Sequence, residues 1–176
     1  MKKFELTSEF VTFLGKTLFR IKALVSFGDV AEGELGGFIE RENNLDQSGD
    51  AWVYGNAQVY GDAQVYGNAQ VSGNARVYGD AQVYGNAQVY GDAQVYGDAW
   101  VQNCRDYSAT SCFGSENRTT TFFRTKDGGI SVRCGCFYGT LREFREKVKE
   151  RHGDSRLAKE YLMLADLMEF RLSKDE

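Results

Sequence analysis

The sequence predicts a mainly-β chain built around a triangular parallel solenoid, and three observations predict it. Nine valines, from Val53 to Val101, stand at six-residue intervals with no insertion between them. Almost every one sits in a unit that reads Ala, then Gln, Arg or Trp, then Val, then Tyr or Ser, then Gly, then Asn or Asp. A period of six fits neither the 3.6-residue recurrence of a helix nor the two-residue alternation of a flat strand, whereas short fixed periods belong to solenoids.

Each unit explains itself as one short strand and one corner. Ala and the Val two residues later point to the same side of an extended segment and form the core, while the residues flanking Val point outward. Gly followed by Asn or Asp supplies the bend, because these residues accept left-handed backbone cheaply. The chain contains no proline, so such residues must make its turns. Three units close a coil of eighteen residues that stacks on the next at about 4.8 Å, and nine units give three regular coils.

Before the repeat, Phe4, Leu6, Phe10, Phe13, Leu18, Ile21, Leu24 and Val25 predict short strands over residues 1–30 that cover the first coil, since an uncapped edge invites aggregation. Phe38, Ile39 and Leu45 then keep the six-residue rhythm approximately, so the solenoid starts in degenerate form and is expected to span 31–115. The glycines from Gly33 to Gly37 lack the strand, loop and helix setting of a phosphate cradle and read as a turn. After Val101 the step survives faintly at Tyr107 and Phe113. Residues 116–176 read as a ββαα segment. Thr119 to Thr125 is one strand, Lys126-Asp127-Gly128-Gly129 a turn and Ile130 to Phe137 the returning strand. Thr140-Leu141-Arg142-Glu143 is a capping box opening a helix that ends at Gly153, and Leu157, Tyr161, Leu164 and Met168 form the apolar stripe of a second helix.

At this point the residues carry a resemblance. The run Ala57-Gln58-Val59-Tyr60-Gly61-Asp62-Ala63-Gln64-Val65-Tyr66-Gly67-Asn68 resembles the hexapeptide repeat of left-handed parallel β-helices, best known from acyltransferases; the left hand is implied by that resemblance. The stretch Gly33-Glu34-Leu35-Gly36-Gly37-Phe38-Ile39-Glu40, followed by Asn44-Leu45 and Gly49-Asp50-Ala51-Trp52-Val53, is similar to the entry signature of uncharacterised hexapeptide-repeat proteins of bacteria and their phages. Those proteins are often labelled transferases without a demonstrated reaction. The resemblance covers roughly residues 20 to 105.

Charge and composition narrow the function classes. With 21 Lys and Arg against 25 Asp and Glu, the net charge is -4, which disfavours a general nucleic-acid binder. No apolar run reaches the length of a membrane span and the N-terminus does not read as a signal peptide, so a cytoplasmic protein is expected. Cys104, Cys112, Cys134 and Cys136 all follow the repeat without CxxC spacing. They read as reduced thiols near the end of the solenoid, the alternative being a Cys-rich metal site that includes His152.

Catalytic residues are hard to find. Hexapeptide acyltransferases commonly use a histidine beside the coil and a looped-out insertion, and these coils contain neither. The one histidine, His152, falls at the end of a helix, where a capping role is the plain expectation. No cofactor is called for.

Folding the chain by eighteen sorts the outward residues onto faces. Tyr60, Tyr78 and Tyr96 form a column beside Gln58, Arg76 and Gln94. Tyr66 and Tyr84 lie with Gln64, Gln82 and Trp100, and Tyr54, Ser72 and Tyr90 with Trp52, Gln70 and Gln88. Such ladders are either structural, through stacked neighbours, or an amphipathic surface of the kind interfaces favour. Ser72 and Arg76 depart from the repeat side by side, and with Tyr60, Tyr78, Tyr96, Trp52 and Trp100 they are the candidate ligand or partner residues, a cation on an aromatic ladder being able to take a flat anion. At the corners Asp62, Asp80 and Asp98 align, repelling by roughly 0.9 kcal/mol per adjacent pair in water; they are weak candidates for calcium. Asn columns elsewhere can form amide ladders.

These readings lead to a non-enzymatic interaction or scaffold protein, homo-oligomeric, that binds a protein or nucleotide-like ligand through its aromatic faces and C-terminal segment. The phage resemblance sharpens this to an inhibitor of host defence. One alternative is an acyltransferase-like enzyme with an inter-subunit CoA site assembled from Trp52, Trp100 and His152; another is a structural polymer module.

Overall fold

The valines stack as the sequence requires. Val59, Val77 and Val95 lie one above another on neighbouring parallel strands, as do Val53, Val71 and Val89, and Val65, Val83 and Val101. The structure is a computed structural model that describes residues 2–173; Met1 and residues 174–176, at the outer ends of the expected terminal segments, lie outside the described residues. It is a parallel β-solenoid of about four turns, followed by an antiparallel sheet and two helices.

Nine two-residue strands, β4 (Trp52–Val53) to β12 (Trp100–Val101), carry the regular repeat, and β3 (Leu35–Ile39) precedes them. The degenerate entry turn is real: Phe38 and Ile39 pair with Gln58 and Val59, and Leu45 bridges to Val65. Three sheets result, one per face, ordered β3-β5-β8-β11, β4-β7-β10 and β6-β9-β12. Every repeat Ala and Val is buried, each valine worth about 1.5 kcal/mol or more in apolar transfer.

At the N-terminal end, β1 (Phe4–Phe13) and β2 (Lys16–Ala23) form an antiparallel hairpin that adds to β3 and so extends the first of these sheets. Phe4, Ile21, Ala23 and Val30 join the solenoid core and close its base. The hairpin tip covers the outward side of the same sheet: Phe13 and Val11 pack on a cluster of Leu18, Phe38 and Tyr60.

At the other end the structure departs from the sequence reading. The last parallel strand is β12, and Tyr107 and Phe113 do not continue the coil to residue 115. They begin and end β13 (Tyr107–Phe113), the first strand of a four-stranded antiparallel sheet with β14 (Arg118–Arg124), β15 (Ile130–Cys134) and β16 (Phe137–Thr140). The expected strand from Ile130 to Phe137 is broken by Gly135, whose φ of 58° turns the chain back, so residues 116–176 are βββαα, with β13 as a fourth strand ahead of them. Tyr107 and Phe123 complete the solenoid core and lid its end. Two helices follow, α1 (Leu141–His152) and α2 (Arg156–Leu172). Thr140 and Glu143 form the reciprocal capping box and Gly153 terminates α1, as the sequence indicates. Among the described residues no helix is long and apolar enough to cross a membrane.

Candidate functional site

The tyrosine ladder forms, but most of it is covered by the chain itself. Tyr60 and Tyr78 stack at 4.9 Å between ring centroids and Tyr78 and Tyr96 at 4.5 Å. Tyr60 is only 5% exposed beneath the hairpin tip, with Phe13 at 5.9 Å. Burial first, and then neighbouring Tyr78, raise its hydroxyl well above the usual tyrosine range. Arg76 is occupied too, its guanidinium lying 4.4 Å from the centre of the Phe13 ring. At the upper end Tyr138 packs edge-on against Tyr96 at 4.6 Å, and Thr121 Oγ1 accepts a hydrogen bond from the Gln94 backbone N–H. Residues expected to form an open partner surface thus serve as the seat for both terminal segments.

The remaining candidates divide. Trp52 is fully buried, held edge-on by Phe4 and Phe27, so it cannot line a surface site. That also removes it from a site shared with Trp100 and His152. Ser72 lies half-buried between Tyr54 and Tyr90 on the β4-β7-β10 face. Trp100 is half-buried on the third face, where Tyr66 and Tyr84 stack at 5.0 Å and Trp100 meets Tyr84 edge-on at 5.3 Å. Lys126 stands 5.7 Å from the Trp100 ring.

Two of the corners carry polar ladders. Asn68 donates to Asn86 at 3.2 Å and Asn74 to Asp92 at 3.1 Å. Of the aspartate column, Asp62 pairs with Arg41 at 2.6 Å, Asp98 accepts from the Tyr138 hydroxyl at 3.1 Å, and Asp80 is exposed. Among the described residues no three His, Cys, Asp or Glu side chains converge where they could hold a metal ion. The four cysteines are free thiols, with Cys134 partly buried and the others exposed.

Chemistry not picked out from the sequence gathers in the C-terminal module. Arg124 fastens it to the solenoid: the guanidinium lies 3.2 Å from Asp106 and donates to the carbonyls of Leu172 at 2.7 Å and Ser173 at 2.9 Å, which caps the end of α2. Helix α2 then presents apolar residues on two sides. Tyr161, Leu164, Ala165, Met168 and Leu172 are buried against α1 and the sheet, whereas Met163, Leu167 and Phe170 are 72%, 56% and 85% exposed. Their spacing of four and three places them in one row. Between β14, the β15–β16 turn and the two helices lies a cleft of about 500 Å³. His152, expected as a cap, ends α1 there and stacks on Tyr161 at 5.7 Å.

The solenoid turns between β7 and β10 are similar to a known repeat: residues 69–85 and 81–93 match the family model described as YdcK Beta solenoid repeat. No curated protein matches the chain. The similarity therefore fits a repeat-containing β-helix protein and concerns the coils, not the terminal segments where the exposed row and the cleft lie.

Proposed function

We propose that this chain is a non-enzymatic interaction protein that pairs with a second copy of itself through the outer row of α2, with the capped solenoid as a rigid spacer. The observation that carries this reading is the exposure of Met163, Leu167 and Phe170 on a helix whose opposite side is fully packed. Glu160 and Arg171 flank that row about three helical turns apart, hence on the same side. An antiparallel two-fold pairing therefore sets Glu160 of each copy beside Arg171 of the other, twice.

Magnitudes favour a modest association. Scaled by their exposures, six such side chains in a symmetric pair supply roughly 6–13 kcal/mol of apolar burial, and association costs about 4–15 kcal/mol. Only the favourable ends of both ranges leave the roughly 8 kcal/mol of a micromolar constant, so a dimer no tighter than about micromolar is expected. Sedimentation velocity between about 1 and about 300 µM brackets such a constant. Dimerisation that Leu167→Glu abolishes supports the proposal; a monomer throughout refutes it. The resemblance to phage proteins extends this reading to antagonism of a host defence in a cytoplasmic setting, which free thiols suit. Failure to retain any defined host complex or nucleotide signal counts against that extension.

A further inference from the structure

The cleft in the C-terminal module joins an aromatic floor to a basic rim. Its floor is aromatic: Phe137 and Phe144 lie 5.7 Å apart and Phe144 and Tyr161 5.8 Å apart, the latter pair nearly perpendicular. Its rim is basic. Arg118, Lys147 and Arg151 line it with one carboxylate, Glu116, so that even with Glu150 bridged to Lys147 the rim keeps a positive excess on a chain whose net charge is -4.

Helix polarity explains part of this rim. Lys149, Arg151 and His152 occupy the last turn of α1, where cations complement the helix dipole. It does not explain Arg118, which comes from the start of β14, nor Lys147, which lies before that turn. Arg118 is only loosely neutralised, standing 3.8 Å from Glu116 with 59% of its side chain exposed, and Lys147, though bridged to Glu150 at 2.9 Å, keeps 56% of its side chain exposed. Arg151 has no ion-pair partner among the described residues.

We infer that this cleft binds a small planar aromatic anion, a ring carrying one phosphate or carboxylate, with the ring against Phe137, Phe144 and Tyr161 and the anionic group held by Arg118, Lys147 and Arg151. The cleft's volume is in the range that encloses small ligands, and arginine is suited to bidentate capture of either oxyanion. The site draws on the inner side of α2 and leaves its outer row untouched, so it stands or falls independently of the dimer.

The test uses 1-naphthyl phosphate as probe, with 1-naphthol and inorganic phosphate as its two halves, followed by calorimetric titration of the full chain. The anionic ring is expected to bind at least about tenfold more tightly than either half. Arg151→Ala is expected to weaken it by about tenfold and Arg151→Lys by less, since the charge remains but the fork is lost. AMP and 1-naphthoate then separate nucleotide from carboxylate ligands. Cys136 lines the same cleft and is exposed, so bound probe should slow its alkylation, read by peptide mass spectrometry, while Cys104 and Cys112 react unchanged. Equal affinity for 1-naphthol, unaltered binding in Arg151→Ala, or unprotected Cys136 would each overturn the assignment.

Discussion

Two glycines of one corner column, Gly73 and Gly91, separate the strain of a corner from the closeness of its stacking. Both have left-handed φ, +69° and +68°, so alanine at either place meets the same conformational penalty of about 1–2 kcal/mol. The stiffer unfolded chain offsets about 0.4–1 kcal/mol of it. The surroundings differ. A Cβ on Gly91 meets nothing within 4 Å, whereas one on Gly73 lies 3.0 Å from both the backbone N and the backbone O of Gly91. That oxygen cannot simply withdraw, because it accepts the rung hydrogen bond from Asn74 at 2.9 Å. Forcing the contact opens the rung at an overpacking cost of about 1–3 kcal/mol. Gly91→Ala is thus expected to lose about 1 kcal/mol and Gly73→Ala about 2 kcal/mol more. For a chain of this size that difference is a further fall of roughly 4–8 °C in Tm. Thermal unfolding followed by circular dichroism reads both variants directly. Equal losses would refute the reasoning and leave left-handed strain as the whole cost of a corner.

Other expectations follow from buried and covered side chains. Lys3 is 4% exposed, with its ammonium donating to the carbonyls of Ser48, Gly49 and Ala51, and burial lowers its pKa from 10.5 to about 8 against the pull of Asp46 and Asp50. The unfolded chain therefore holds more protons above pH 8, and stability should rise between pH 8 and about 10 by up to ~3 kcal/mol. Lys3→Met should remove that rise in pH-dependent urea unfolding, and deprotonation of tyrosines that are neutral when folded, Tyr60 and Tyr107 among them, should reverse it above pH 10. Trp52 Nε1 is buried without a partner, so Trp52→Phe should change stability by less than about 1 kcal/mol, whereas Trp52→Ala should cost about 3–5 kcal/mol; a large loss in the phenylalanine variant would contradict the unpaired N–H. Arg76→Ala should lose about 0.5–2 kcal/mol through its stack on Phe13, and the same loss in a Phe13→Leu background would show that the two do not act together.

The solenoid was legible because one rule, repeated nine times, fixes core, register and corner together. Grouping by eighteen assigned Tyr60, Tyr78 and Tyr96 to one column and Tyr66 with Tyr84 to another, and those pairs stack. Periodicity speaks only of neighbouring coils, however. It marked Trp52 and Arg76 as outward without revealing that Phe4 and Phe27 enclose the first and Phe13 covers the second. The faint step at Tyr107 and Phe113 misled for a related reason: spacing alone does not distinguish a coil from an antiparallel strand entering the same core. In the C-terminal module, Gly135 between two apolar runs could have signalled the extra turn. The exposed row of α2 was also readable, since Met163, Leu167 and Phe170 keep helical spacing beside the buried stripe. The cleft was not, because its cations and rings come from elements whose packing has no repeat behind it.

Both terminal segments rest on the same face, the hairpin tip on the lower rungs of the β3-β5-β8-β11 sheet and the C-terminal sheet on Gln94 and Tyr96 at its top. This makes the solenoid a ruler with a permitted graduation. Adding or deleting three units changes the separation of the two ends by one inter-strand step of about 4.8 Å and preserves their alignment. Adding one unit instead turns the far end by a third of a revolution, so that the two end segments no longer rest on one face. A tract of nearly identical hexapeptides can gain or lose units readily, but only lengths differing by eighteen residues keep both ends facing the same way.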